Sequence, residues 1–309
     1  MRRIAIPLVF LLVGAGAGAW GAHRFWPAAR RPETVAPSLV RFPRNYSGAS
    51  IETMLREVPR ESLSAEALRD AAPGYLRPPR VGPSDLLSAT SRPVHLPGAD
   101  GSGVPAIEWR LATTLGRFRV YELKPAGSRP PGRLCIAQHG HEGFDDFWSR
   151  FRETLTKVQA AGVPVFVPWQ TDLIGEDVDF AGAHQLLLLG TTLMGVRVSF
   201  DRLLLDHVTR LYPGARVEMV GHSGGSMVAY FTSVVDPRID ALAVDYRTGT
   251  EALLSGAMHC ESVPGLYSYN PPEGPLRLDA ARAAHAVEQP YGYPDREALV
   301  RWILDPGKP

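Results

Sequence analysis

The chain has 309 residues, of which 45% are hydrophobic, and a formal net charge of +1. Its lysines and arginines form no stripe that could neutralise several phosphates, which argues against a nucleic-acid partner. Its two cysteines, Cys135 and Cys260, provide neither a disulfide framework nor a C-x-x-C spacing for a metal or redox site. The length predicts one sizeable domain with accessory segments.

The chain begins with an uncharged apolar stretch. Residues 4–22 read IAIPLVFLLVGAGAGAWGA and follow Arg2 and Arg3. A charged start followed by an apolar run is typical of an export signal, and the run is nearly the ~20 residues that cross a bilayer. We therefore expect export, with residues 1–22 either removed as a signal peptide or retained as a membrane anchor. The expected location is membrane-anchored, periplasmic or extracellular.

Residues 23–104 are rich in proline and arginine. Repeated prolines interrupt any long helix or strand, so this region is predicted to be a spacer and N-terminal extension. Two short helices are predicted within it, in SIETMLREV and SAEALRDAA, with Ser50 and Ser64 as their N-caps.

From residue 105 to residue 309, short apolar runs alternate with segments of helical periodicity. The runs predicted to be strands are AIEWRLATTL, RFRVYELKP, RLCIAQHG, PVFVPWQ, RVEMV and ALAVDY. The segments predicted to be helices are DDFWSRFRETLTKVQAAG, HQLLLLGTTLMGVRVSFDRLLLDHVTRLYPG and SGGSMVAYFTSVV. This alternation predicts an α/β domain with a doubly wound, mostly parallel sheet.

The pentapeptide GHSGG, residues 221–225, lies between the strand RVEMV and a helix. A serine presented on a tight strand-to-helix turn needs small neighbours, which Gly221 and Gly225 supply. The helix start also directs free N–H groups toward developing negative charge, so the N–H of Gly224 is a candidate oxyanion donor. The alternative is a flexible glycine turn that happens to contain Ser223, and the flanking strand and helix favour the nucleophile.

Four stretches resemble the α/β-hydrolase superfamily, in particular its dienelactone-hydrolase-like and acetyl-esterase-like branch. They are IAQHGHEG, LGTTLMGVRVSFDRLLLD, VGHSGGSMVAYFTSVVDPRIDAL, and AHAVEQP together with DREALVRWIL. The resemblance covers residues 105–309. It implies hydrolysis of esters by a serine, a histidine and an acid, with no metal and no other cofactor.

The resemblance also implies roles for further residues. The second oxyanion donor is expected in the loop after RLCIAQ, at the backbone N–H of His141. The general base is expected to be His285, in a loop between the last strand, PLRLDA, and a closing helix. His259 is the rival base, although it lies where the family has binding residues.

The acid is the point at which the chain departs from the family. The family has a further strand and helix before the histidine, but residues 247–274 contain no such apolar run, so the fold is expected to be shortened near its C-terminus. Asp279 precedes His285 by only six residues, which leaves no room for the missing elements. Asp245, at the carboxyl end of ALAVDY, is the predicted substitute. Glu251 and Glu261 remain open as two alternatives to it.

The sequence therefore predicts an exported serine carboxylesterase that acts on small or carbohydrate-linked acyl esters. Its predicted triad is Ser223, His285 and Asp245, and its partner is a small-molecule ester. The competing hypothesis is a binding module that keeps the hydrolase fold without a complete triad. Acyl transfer to a sugar or lipid would use the same residues. The oligomeric state is not indicated.

Overall fold

An eight-stranded sheet forms the centre of the protein, with strand order β1-β2-β3-β5-β4-β6-β7-β8. The pairs β1–β2, β2–β3 and β3–β5 are antiparallel, whereas β5, β4, β6, β7 and β8 run parallel to one another. The computed structural model describes residues 64–125, 127, 130–140, 143–169, 186, 189–245, 283–286 (backbone alone), 293 and 295–306.

The strands and helices follow each other in the order expected of an α/β domain. The strands are β1 Leu86–Pro97, β2 Gly103–Thr113, β3 Gly116–Leu123, β4 Arg133–Gln138, β5 Val165–Trp169, β6 Arg216–Gly221, β7 Ile239–Val244 and β8 Ala283–Ala286. The helices are α1 Ala65–Leu76, α2 Gly143–Ala160, α3 Leu193–Leu211, α4 Gly224–Val235 and α5 Arg296–Leu304. The predicted α/β class and the mostly parallel centre of the sheet are confirmed.

Helices cover both faces of the parallel strands and enclose a separate apolar core on each face. On one face, α1, α3 and α4 contribute residues such as Leu76, Phe200 and Phe231. On the other face, α2 and α5 contribute residues such as Phe147 and Ile303. The central strands are buried on both faces, which explains why RLCIAQ and VFVPW are continuous apolar runs and not alternating ones.

The long helix predicted from residue 184 begins later in the structure. Residues 189–192 lie outside a helix, Gly190 has a φ of 80°, and α3 starts at Leu193. The Thr192 hydroxyl caps it by accepting a hydrogen bond of 2.8 Å from the Gly195 amide. The prediction of one continuous helix was wrong here, because the left-handed conformation at Gly190 and the threonine cap start a new element.

Part of the predicted spacer belongs to the main fold. Ser64 caps α1 as predicted, since its hydroxyl accepts from the Ala67 amide at 3.1 Å. The buried face of α1 joins the core through Leu68 and Leu76. Strand β1 pairs with β2 from Leu86↔Thr113 to Pro97↔Gly103. The sheet therefore extends on the N-terminal side of the boundary predicted at residue 105.

Several predicted segments lie outside the described residues. They are the apolar stretch 4–22, the helix capped by Ser50, residues 247–274, where the shortening was expected, and the strand PLRLDA. The last strand that the structure describes is β8, which follows PLRLDA. In the part of the chain that is described, no helix has the length and hydropathy needed to cross a bilayer.

A buried carboxylate lies in the middle of β6. Glu218 is 1% exposed, and its Oε1 lies 3.3 Å from Nη1 of Arg133 on the neighbouring strand. Its Oε2 has no hydrogen-bond partner among the described residues. Desolvation raises the pKa of Glu218 to about 8, against the opposing effect of Arg133 and Arg216. The folded protein therefore holds a proton on Glu218 at neutral pH.

Stability is expected to fall as the pH rises from about 4.5 to about 8. Over that window the unfolded chain has released the Glu218 proton while the folded protein retains it, so the free energy of unfolding decreases by on the order of 4 kcal/mol. The Glu218→Gln variant should lack this decrease in urea unfolding measured across the window. A matched control is Glu153→Gln on the exposed surface of α2. An unchanged pH slope in Glu218→Gln would contradict the assignment.

Candidate active site

The turn from β6 into α4 has a strained backbone at Ser223. This residue has φ 51° and ψ −126°, and it precedes the first helical residue, Gly224. Among the described non-glycine residues, only Arg77 shares a positive φ. Such a conformation costs roughly 1–3 kcal/mol and persists only where the surrounding structure imposes it. A strained serine between a central strand and a helix is the geometry of a nucleophile elbow.

Two glycines allow the elbow to pack tightly. A Cβ atom at Gly221 would lie 2.4 Å from the Cα of Ser226. A Cβ at Gly225 would lie 2.4 Å from the carbonyl oxygen of Gln138 and 2.5 Å from that of His139. Both distances are too short for a side chain, so the turn requires glycine at each position of the G-x-S-x-G pattern.

The N-terminus of α4 lies at the elbow. The Gly225 amide donates to the His222 carbonyl at 2.8 Å, and the Ser226 amide donates to the Ser223 carbonyl at 2.9 Å. The N–H of Gly224 makes no hydrogen bond within the described part of the chain. It stands at the positive end of the helix dipole, where the sequence predicts an oxyanion donor.

The loop after β4 lies directly against this turn. The His222 amide donates to the Gln138 carbonyl at 3.0 Å, and Gly225 packs on the Gln138 and His139 carbonyls. The ring Nδ1 of buried His139 lies 2.8 Å from the Gly140 carbonyl oxygen. The structure thus brings the predicted oxyanion loop and the elbow together. His141, the predicted second donor, is outside the described residues.

A buried carboxylate underlies the elbow. Asp245 follows β7 and is 1% exposed. Its Oδ1 accepts hydrogen bonds from the Ser223 amide at 2.8 Å and from the Ser226 hydroxyl at 2.9 Å. Its Oδ2 is hydrogen-bonded to Nδ1 of His222. Asp245 was predicted to serve the general base, whereas the partners that the structure describes for it belong to the elbow.

A second polar network fixes the base of the oxyanion loop. Gln138, the last residue of β4, donates from Nε2 to Oδ1 of Asp201 on α3 at 2.8 Å. The Thr232 hydroxyl on α4 donates to Oδ2 of the same carboxylate at 3.1 Å. All three side chains are buried. Sequence reasoning missed this network, since nothing in the local pattern around Asp201 distinguishes it from a solvated helix residue.

The structure places His285 inside β8 and not in a loop. It pairs in register with Ala243, which in turn pairs with Val220 on β6. Ser223 lies three residues beyond Val220, so His285 lies roughly 10 Å short of Ser223 along the strand direction. Across the sheet, β8 is separated from β6 by two strand spacings, which add about 10 Å. This backbone register does not bring His285 beside Ser223.

The remaining candidates lie outside the described residues. These are His259, Glu251, Glu261 and Asp279. Within the described ranges, no group of three or more His, Cys, Asp or Glu side chains is arranged to hold a metal ion.

Comparison with known proteins identifies the fold. No protein-family model matches the chain, and no curated protein matches it significantly. A candidate acetyl xylan esterase from Bacteroides fragilis is similar in structure, with a TM-score of 0.58 and 15% identity over 86% of this chain and 81% of that chain. A methylesterase matches with 18% identity over 84% of this chain and 68% of that chain. Its TM-score of 0.47 is too low to show a shared fold.

The first of these likenesses shows a shared fold and, at 15% identity, nothing beyond it. The sheet order and the elbow at Ser223 agree with it. The protein therefore has the α/β-hydrolase fold, as the sequence predicts.

Proposed function

We propose that the protein is a serine carboxylesterase whose nucleophile is Ser223. The observation that carries this proposal is the strained Ser223 backbone at the carboxyl end of a buried parallel strand. Strain of this kind is retained where it serves a site, and the half-buried Ser223 at the start of a helix is suited to nucleophilic attack.

The reaction would proceed in two steps. The Ser223 Oγ attacks the ester carbonyl carbon while its proton passes to a general base. The carbonyl oxygen becomes an oxyanion that accepts from the N–H of Gly224 and, in the proposal, of His141. Collapse of this intermediate breaks the ester C–O bond, and the alcohol leaves with the proton from the base. Water then attacks the acyl-enzyme by the same route and releases the acid.

His285 is the proposed base, with His259 as its rival. A histidine suits this role because its pKa is ordinarily near neutrality. Since the described bonds of Asp245 go to the elbow, we place the acid that orients the base in residues 246–282, where Glu251 and Glu261 are the candidates.

The proposed substrates are small or carbohydrate-linked acyl esters. The similar structure from Bacteroides fragilis is described as a candidate acetyl xylan esterase, and the motif resemblance favours the dienelactone-hydrolase-like and acetyl-esterase-like branch. We further propose that residues 4–22 direct export and that the protein is then either released or held at a membrane.

Hydrolysis of p-nitrophenyl acetate tests the proposal. Ser223→Ala should lower kcat/KM by roughly 10³-fold or more, the loss typical of a removed nucleophile. Ser233→Ala is the matched control, because it removes a buried hydroxyl from the same helix; it should leave the rate within a few fold. His285→Ala and His259→Ala identify the base, since only the variant lacking the base should lose activity to the same extent.

A non-catalytic binding module is the second candidate. The backbone register that sets His285 back from Ser223 favours it. It predicts a folded wild-type protein that does not hydrolyse the ester and whose Ser223→Ala variant behaves identically.

A further inference from the structure

We propose that Asp245 is a positioning residue that holds the nucleophile elbow in its strained conformation, with His222 as its partner beneath the turn. This inference rests on the proposed function, because it gives Asp245 a role in presenting Ser223 for attack. It differs from the role of a triad acid, in which a carboxylate orients the general base.

The carboxylate bonds to both of the residues that the His222–Ser223 peptide unit joins. Its Oδ1 accepts from the amide of the strained residue, Ser223, at 2.8 Å. Its Oδ2 is bonded to the ring of the preceding residue, His222. The carbonyl of the same peptide unit accepts from the Gly225 amide at 2.8 Å. Both polar groups of this peptide are therefore fixed, and the rotation that would relax φ at Ser223 would break them.

The partners of Asp245 are themselves held by packing. The His222 ring lies 4.9 Å from the ring of Phe151 and 6.2 Å from that of Phe147, both on α2. His222 is buried, with 4% exposure. Burial and these aromatic contacts restrict rotation of the His222 ring, so the imidazole is held against the Asp245 carboxylate beneath the turn.

Further hydrogen bonds connect Asp245 to the first residues of the motif. The Ser226 hydroxyl lies within hydrogen-bonding distance of the Gly221 carbonyl, at 2.8 Å, and of the Asp245 carboxylate. The Asp245 amide donates to the Ser226 oxygen at 3.1 Å. The buried Tyr293 hydroxyl donates to the Gly221 carbonyl at 2.7 Å. The end of β6, the turn and the first turn of α4 are thus connected through one carboxylate.

The two roles for Asp245 predict different pH profiles. A carboxylate that orients the base stabilises the charged form of the base. Removing that carboxylate therefore moves the pH midpoint, at which activity reaches half of its maximum as the pH rises. A carboxylate that positions the nucleophile changes the rate at every pH and leaves the midpoint where it was.

The test is the rate at which a fluorophosphonate probe labels Ser223, measured as a function of pH. We expect Asp245→Ala to lower the rate at least tenfold at all pH values with an unchanged midpoint. Asp245→Asn should lose less, since its amide oxygen still accepts from the Ser223 amide. His222→Leu, which removes the partner but keeps the carboxylate, should also lower the rate. The proposal is overturned if the Asp245 variants are labelled at the wild-type rate, or if the midpoint moves.

Asp240→Asn is the matched control. Asp240 lies on β7, the strand that Asp245 follows, and accepts a backbone amide of β6, that of Val217 at 2.8 Å, but at the far end of the strand. Its labelling rate should stay within twofold of the wild type. Circular dichroism establishes which variants are folded. If Asp245→Ala does not fold, the test is the labelling rate of Asp245→Asn and of His222→Leu compared with that of Asp240→Asn.

A crystal structure of Asp245→Asn or His222→Leu separates this proposal from the proposed function. The positioning role predicts that φ at Ser223 relaxes from its positive value in at least one of them, whether or not the wild type is labelled. An unlabelled wild type would defeat the esterase proposal. A Ser223 backbone that stays unchanged in both variants would defeat the positioning role.

Discussion

Replacing Gly225 with alanine is expected to remove most of the activity and to lower the free energy of unfolding by about 2–3 kcal/mol. The added Cβ would lie 2.4 Å from the Gln138 carbonyl oxygen and 2.5 Å from the His139 carbonyl oxygen. Both are backbone atoms at the end of β4 and the start of the loop after it, so α4 and this segment must move apart. A shift of about 1 Å at a catalytic group can reduce a rate by about 10²-fold.

Urea unfolding and p-nitrophenyl acetate hydrolysis measure the two effects of Gly225→Ala. Gly132→Ala is the control, because Gly132 precedes β4 and a Cβ there meets no atom within 4 Å. Its effect on stability should be within about 0.5 kcal/mol. Equal stability and activity in the two variants would show that the elbow does not press on the loop after β4.

The second large effect is expected from Asp201→Ala. The substitution deprives the buried Gln138 amide and Thr232 hydroxyl of their shared acceptor. Loss of a buried, charged hydrogen-bond acceptor should lower the free energy of unfolding by about 3 kcal/mol. Because Gln138 is the last residue of β4, the loop beyond it should also lose its fixed position, and the rate of ester hydrolysis should decrease.

Thr232→Val distinguishes the network from a general packing defect. It removes one hydroxyl donor to Asp201 but keeps the Gln138 bond and a side chain of similar shape, so it should cost about 1 kcal/mol. Its effect on ester hydrolysis should be small. An Asp201→Ala variant as active as Thr232→Val would mean that Asp201 supports only the packing of α3 and α4.

The sheet and most of its helices could be predicted because their sequences carry the signals of buried elements. RLCIAQ and VFVPW are continuous apolar runs, as expected for strands covered on both faces. Strand β1 was missed because most of its residues are exposed and it contains Pro93, which an edge strand tolerates.

The elbow could be predicted because the residues that permit it are consecutive. Gly221, the strained Ser223 and Gly225 lie within five residues, although the close approach at Gly225 is to the distant Gln138 and His139 carbonyls. The partners of Asp245 could not be inferred in the same way. Its position at the end of β7 places it at the correct edge of the sheet, but His222 occupies a position of the motif that admits any residue, so the pattern does not indicate a bond between them.

Contacts between distant parts of the chain account for the remaining differences. Gln138 and Asp201 are 63 residues apart, and Thr232 follows Asp201 by 31 residues. Only the order of the strands and the packing of α3 and α4 against them bring these side chains together. The placement of His285 also depends on strand register, since β8 pairs with β7 at Ala243.

The most direct test of the account is to treat the folded protein with a fluorophosphonate probe and to map the modified peptide by mass spectrometry. The account predicts one adduct, on Ser223, that is absent from Ser223→Ala and present in Ser233→Ala. A folded wild-type protein that forms no adduct, or forms it at another residue, would contradict it.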